Sequence, residues 1–462
     1  MAAENVNKYR SGFVVVTALF FMWGFITVLN DILIPYLKGV FELSYFEAML
    51  VQGAFFGAYF VGGLLYFIIS VNYGDPINKI GYKNGIILGL GISALGTALF
   101  FPAAQFEMYG FFLSALFVLG LGFAMLQIAA NPYVAILGSS DTASSRLNLS
   151  QGFNSFGTTI GPILGGFFIL EYFGGLEATG ASSVILPYLF LTVLLLLLAL
   201  FIWRAKLPVF TNKEVIQKGA GAMKYRQLRL GAIAIFVYVG AEVAIGSILI
   251  SYFGLPEIAG LSEADASPLI AFYWGGAMIG RFLGSIALSK ASEKKKWLGM
   301  IGMAIGAFLV VYGSVYLKTG IGFGEVTAFL VFVGLNLLAF RFGRSLPGRS
   351  LMIFAIVPII LLVTTMLTSG AVAMWTVLGI GIFNSIMWSN IFTLAIHQLK
   401  ENTSQGSSVL IMSIVGGAII PPLQGAAADI IGVQLSFVVP IICYVYLAYY
   451  GWKGHIPSSV TE

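Results

Sequence analysis

Charge is scarce in this chain: Asp, Glu, Lys and Arg make up 9% of its 462 residues, against about 25% in ordinary soluble domains. With 59% of residues hydrophobic, a water-exposed surface cannot be built, and a soluble fold is excluded. Cysteine is almost missing. Cys443 alone rules out an internal disulfide, and two histidines, His397 and His455, leave no basis for a metal centre. No cofactor and no bound metal are expected. The chain also lacks the cluster of His, Cys or paired acids near one interface that a membrane enzyme needs; a channel would need a continuous polar lining, and the two-part repeat with central carboxylates described below argues for a carrier instead. Its start is a short polar stretch before a long apolar run, without the small-residue pattern of a cleaved signal peptide, so the first helix is expected to stay in the mature protein.

What the chain has in quantity is long apolar runs. In lipid, backbone polar groups must be satisfied within a helix or a closed barrel, and these runs are far longer than strands. The expected fold is all-α and polytopic. Runs of about 20 residues place crossings near 12–37, 44–70, 83–102, 106–136, 147–173 and 185–204. After a basic stretch at 205–228, further crossings lie near 229–254, 264–288, 298–317, 324–341, 350–367, 371–398, 404–432 and 436–452. The count is fourteen, six before the linker and eight after it.

The net charge of +5 is explained by topology rather than by nucleic acid, which is not an expected partner. With a cytosolic amino terminus, all but three of the 24 Lys and Arg residues fall on the cytosolic side, Lys38 and Lys318 lying outside and Arg281 within a helix. The positive-inside rule thus supports an even number of crossings and cytosolic termini.

The two parts also repeat. Asn131, Gly157, Pro162 and Gly166 align with Asn390, Gly416, Pro421 and Gly425 at a shift of 259, and Gly24, Ile32, Leu33, Ile34 and Tyr36 align with Gly240, Ile248, Leu249, Ile250 and Tyr252 at 216. The growing shift requires about two extra helices between the blocks in the second half. The expected organisation is therefore a six-helix half over 1–204, a cytosolic linker over 205–228, and a second half over 229–462 with a helix pair inserted within 298–367. Parallel repeats about an axis along the membrane normal are the architecture of major facilitator transporters, with the solute between the halves.

An ionisable side chain in the bilayer costs about 2.5 to 3.5 kcal/mol on insertion scales and asks for a reason. Asp31 follows Asn30 late in the first helix, on one broad face with Trp23 and Thr27. Glu242 falls midway along the seventh crossing, where a carboxylate must be protonated, paired with a cation or solvated. Asp31 and Glu242 are expected to face one cavity from opposite halves. Arg281, seven residues before the cytosolic end of its helix, is expected to snorkel. Neutral polar residues form stripes as well: Gln127 and Asn131 on the fourth crossing, Gln151 and Asn154 with Asn148 and Thr158 on the fifth, Tyr273 and Trp274 on the eighth, Asn384 and Trp388 on the twelfth. Amides mixed with aromatic faces suit a polyhydroxylated ring, while an anionic cargo would want buried cations that are hardly present.

At these residues the chain resembles the fucose:proton symporter family of the major facilitator superfamily, and within it the glucose/galactose transporter branch. The resemblance runs over nearly the whole length and is carried by NDILIP (Asn30 to Pro35), AANPYV (Ala129 to Val134), RLNLSQGFNSFGTTIGP (Arg146 to Pro162), YVGAEVAIGS (Tyr238 to Ser247), FYWGGAMIGRFLGS (Phe272 to Ser285), FNSIMW (Phe383 to Trp388) and QGSSVLIMSIVGGAIIPPLQG (Gln405 to Gly425). It implies alternating access, cation-coupled sugar uptake, an essential acid at Asp31 and a sugar-facing amide at Asn154. Two departures stand out. Fucose permeases carry a glutamate where this chain has Gln127, and a glutamine where it has Glu242. The carboxylate has moved from the fourth helix to the seventh.

The sequence therefore predicts a secondary symporter of the bacterial inner membrane, working as a monomer in lipid and importing a small neutral hexose. Glucose or galactose comes first, with mannose, fucose or N-acetylglucosamine as alternatives. The driving ion is H+ or Na+. Asp31 and Glu242 are the expected coupling residues; Trp23, Asn30, Gln127, Asn131, Gln151, Asn154, Tyr273, Trp274, Asn384 and Trp388 are the expected sugar-binding residues.

Overall fold

The computed structural model describes residues 2–43, 45–166, 182, 184–208 and 219–457, and its described residues are helical or in turns, with no strand. Among the described residues, eleven helices are long and apolar enough to cross a membrane, and each coincides with a sequence-derived crossing. They are α2 (Gly53–Tyr73 within Tyr45–Tyr73), α3 (Tyr82–Gln105), α4 (Tyr109–Ile136), α6 (Ile185–Arg204), α7 (Arg226–Phe253), α9 (Glu293–Thr319), α10 (Phe323–Gly343), α11 (Pro347–Leu367), α12 (Gly370–Ala395), α13 (Lys400–Ile431) and α14 (Leu435–Gly454). The other three crossings overlap α1 (Ala2–Val40), α5 (Ala143–Gly166) and α8 (Ile270–Ala287), which are helical but not among those eleven; residues 167–173 of the fifth crossing lie outside the described residues. The chain is an integral membrane protein.

Local chemistry sets the ends. Asp75 caps the short helix Pro76–Ile80 by accepting the Ile77 N–H at 3.0 Å, with Pro76 in the first turn where its missing N–H is not needed. Gly320 closes α9 in the left-handed conformation (φ 69°).

Two compact units form. Unit 1 comprises 1–139, 156–224 and 398–412; unit 2 comprises 140–155, 225–397 and 413–462. In unit 1, α3 packs against α4 and α6; in unit 2, α11 holds the matching place against α12 and α14. That leaves α9 and α10 as the pair without a counterpart. Aligned glycines make matching approaches: a Cβ on Gly157 would strike the α1 backbone at Phe21, and one on Gly416 the α7 backbone at Phe236. The internal repeat is thus a repeat of close backbone contacts.

Candidate functional site

A buried polar cluster that includes sequence-selected residues lies in unit 2, around Glu242. The Tyr238 hydroxyl, one turn back on α7, donates to Glu242 Oε1 at 2.8 Å. Arg281 of α8 brings Nη2 to 3.8 Å from the same oxygen, too long for a hydrogen bond but close enough to compensate its charge. Its Nη1 donates to Ser155 of α5, and its Nε to the Ser385 carbonyl of α12 at 3.1 Å. Arg281 does not snorkel: its side chain is 14% exposed, because the interior offers the guanidinium a carboxylate, a hydroxyl and a carbonyl.

An interruption in α12 supplies that carbonyl. Helical winding stops at Asn384 and resumes at Met387, although no proline or glycine lies between them. Ser385 (φ −47°, ψ −53°) and Ile386 (φ −91°, ψ −6°) keep right-handed helical angles, so the break is a two-residue turn within one continuous span. Here Arg281 takes the Ser385 carbonyl, and the Tyr238 hydroxyl stands 3.2 Å from the Asn384 carbonyl. Glycines on the facing surfaces permit the approach: a Cβ on Gly280 would meet Ser385, and one on Gly381 would meet the Tyr273 carbonyl.

The Asn384 side chain completes the network. Its Nδ2 donates to the Tyr273 hydroxyl at 2.9 Å, which donates to the Glu242 backbone carbonyl at 2.9 Å, and its Oδ1 accepts from Tyr444 of α14 at 2.6 Å. One turn along α12, Trp388 is 7% exposed and its indole N–H has no hydrogen-bond partner among the described residues. A buried donor left open is costly unless something else accepts it. Trp274, by contrast, is 43% exposed and covers Gly246 of α7.

Unit 1 carries its own polar cluster. The Tyr59 hydroxyl stands beside the side chains of Trp23 and Gln127, and Asn131 lies fully buried one turn after Gln127. Asn148, on the unit 2 part of α5, donates to Asn390 of α12 at 3.3 Å; Gln151 beyond it is buried, and Asn154 half-buried. The α1 backbone runs helically through Asn30 and Asp31, whose side chains lie outside the described residues. The structure therefore joins Glu242, Tyr273 and Asn384 in one network and Trp23 and Gln127 in another. Sequence reasoning missed Tyr238, Tyr444, Ser155 and Tyr59.

A second buried acid sits at one end of unit 1. Asp75 accepts from the Tyr66 hydroxyl, and burial raises its carboxyl above the ordinary range against the opposing hydrogen bonds of Tyr66 and Ile77. Nearby, Ser404 of α13 donates to Tyr82 at 3.2 Å, Gln405 to Ser70 at 3.0 Å, and Asn78 to the Glu401 carbonyl at 2.8 Å. The start of α13 is thereby tied to the turn between α2 and α3.

Residues 13–340 match the family model described as Major Facilitator Superfamily. A Brucella abortus protein named glucose/galactose transporter is 45% identical over 459 residues, 98% of this chain and 96% of that one. An Escherichia coli L-fucose-proton symporter is 30% identical over 470 residues, 96% of this chain and 93% of the relative. The crystal structure of the Escherichia coli fucose:proton symporter superposes with a TM-score of 0.74 at 28% identity, covering 97% of this chain and 99% of that one.

Proposed function

The chain belongs to the major facilitator superfamily, and from that premise we propose that it imports a neutral hexose, glucose or galactose, by cation symport. The observation that carries the reading is the 45% identity, over nearly the whole of both chains, to a protein named for those two sugars. Site chemistry supports it. Amides (Gln127, Asn131, Gln151, Asn154) and aromatic edges (Trp23, Trp388) are buried or half-buried at membrane depth, as recognition of hydroxyls and C–H faces requires. Asn30, Tyr273, Trp274 and Asn384 complete the proposed sugar-binding set.

Asp31 and Glu242 are the proposed coupling acids. A proton arriving on Glu242 would cancel its attraction for Arg281 and leave the guanidinium to Ser155 and the Ser385 carbonyl, at the interruption in α12. Protonation would thereby be felt at the two-residue turn of α12, where Arg281 holds the Ser385 carbonyl. The proton is the first driver, in keeping with the relative named as a proton symporter; sodium is the alternative. Residues 1–204 and 229–462 act as the two halves joined by the linker at 205–228, with both termini cytosolic in the inner membrane and the monomer as working unit. Uptake of a labelled panel of glucose, galactose, mannose, fucose and N-acetylglucosamine into proteoliposomes, under separate proton and sodium gradients, tests the proposal. Accumulation of glucose or galactose under one gradient is expected; transport of none of the panel would overturn it.

A further inference from the structure

The helix pair without a counterpart encloses a cavity of its own. At the start of α9 and the end of α10 lies a space of about 290 Å³, lined by Glu293, Lys296, Trp297, Arg341, Arg344 and Ser345 and backed by Ala287 of α8. Farther along the pair, the Phe308 and Phe329 ring centroids lie 6.3 Å apart. We propose that this cavity binds the phosphate headgroup of an anionic phospholipid.

Charge is the first argument. Three cations face one carboxylate: Glu293 lies 3.5 Å from Lys296 Nζ and 3.6 Å from Arg341 Nη1, while Arg344 has no ion pair among the described residues. Glu293 and Arg341 are exposed, so their pairing is weak and yields readily to a phosphate. Lys296 differs in kind. It is 8% exposed, and a buried ammonium held by a serine and one acid is an unusual thing to keep without a further anion. The free N–H groups in the first turn of α9 add positive potential on the same side.

Backbone conformation is the second. Arg344 and Ser345 are consecutive non-glycine residues at positive φ, 51° and 57°. Such strain persists where neighbours over-determine it. Ser345 is pinned from both directions, its hydroxyl donating to the Ala287 carbonyl at 2.8 Å and accepting from Lys296 Nζ at 2.7 Å. The turn is held so that Arg344 stands at the rim of the cavity.

The third argument selects lipid over a soluble anion. Next in the chain to the pocket residues, Leu298 and Ile301 on α9 and Leu338 and Phe342 on α10 are exposed, apolar side chains fit for acyl chains. Basic pockets between membrane helices, next to such surface, are where acidic headgroups bind. The site does not depend on which solute the protein carries.

Trp297 provides the readout, because a brominated lipid seated in the cavity quenches its fluorescence. In phosphatidylcholine vesicles doped with brominated phosphatidylglycerol or brominated phosphatidylcholine, the component of quenching that disappears in Trp297→Phe should favour phosphatidylglycerol. Each Lys or Arg near an anionic headgroup is worth about a fivefold preference, so Arg341→Gln should lose about fivefold and Arg341→Gln/Arg344→Gln about thirtyfold. Equal quenching of the unmutated protein by the two lipids overturns the proposal, whether or not the double variant folds. An unchanged preference in a folded double variant overturns it too. Displacement of the brominated phosphatidylglycerol by inorganic phosphate alone would assign the cavity to a soluble anion and end the lipid assignment.

Discussion

Arg281 Nη2 and Glu242 Oε1 lie 3.8 Å apart, opposite charges on successive helices whose side chains are 14% and 12% exposed. Removing one member of such a pair strands the other, at a cost of about 3–5 kcal/mol, whereas removing both leaves no charge to compensate. Arg281→Gln and Glu242→Gln are each expected to lower the melting temperature in detergent, and the double variant to recover much of the loss. Single variants that melt with the unmutated protein would show that the pair does not hold the fold.

Glu242→Gln also separates two roles. The amide keeps an acceptor for the Tyr238 hydroxyl but cannot exchange a proton. Loss of uphill accumulation with sugar binding retained is the expected result. Weakened binding with ion dependence intact would make Glu242 a sugar ligand only.

Asp31→Asn should abolish accumulation against a gradient while sparing sugar exchange, since exchange needs no net movement of the coupling ion. Counterflow and active uptake measured in the same proteoliposomes decide it. Unchanged accumulation would remove Asp31 from the coupling route.

Gln127→Ala and Asn154→Ala should each weaken sugar affinity by roughly fivefold to hundredfold, the consequence of losing one partner of a buried hydrogen bond worth about 1–3 kcal/mol. Calorimetric titration of both variants with the transported hexose gives the values. Normal affinity in both would move the sugar elsewhere.

Asp75 sets a pH dependence. Burial raises its carboxyl above the ordinary 3.8, so the folded protein holds that proton more tightly than the unfolded chain. Its contribution to stability is full below the unfolded value and is lost as pH rises through the folded one. Asp75→Asn keeps an oxygen for Ile77 and Tyr66 while staying neutral, so the variant should gain stability relative to the unmutated protein towards neutral pH. Melting temperatures that run parallel across the acidic range would contradict the assignment.

The helices were legible because a membrane span writes itself as an uninterrupted apolar run, and eleven such runs coincide with helices of sufficient length. Glu242, Tyr273 and Asn384 could be picked out as polar groups with a solvation cost to explain. Tyr238 and Tyr444 could not, since 21 tyrosines are spread through this chain and nothing local marks which hydroxyls turn inward. Arg281 was misread for a related reason: distance from a helix end shows that a guanidinium can reach water, not that a carboxylate on the next helix is nearer. The interruption at Ser385 and Ile386 leaves no proline or paired glycine in the sequence. Its carbonyls meet partners on α7 and α8, tertiary contacts that a local reading does not contain.

The Glu242–Arg281 contact also bears on how the protein is made. Arg281 leaves the ribosome thirty-nine residues after Glu242. In that interval α7 would present an uncompensated acid to hydrocarbon, at about 2.5–3.5 kcal/mol. The two helices are therefore best delivered to the bilayer as a hairpin, the acid waiting at the insertion machinery until its cation arrives. A stall between them would strand α7 as an orphan segment, open to the proteases that clear failed insertions.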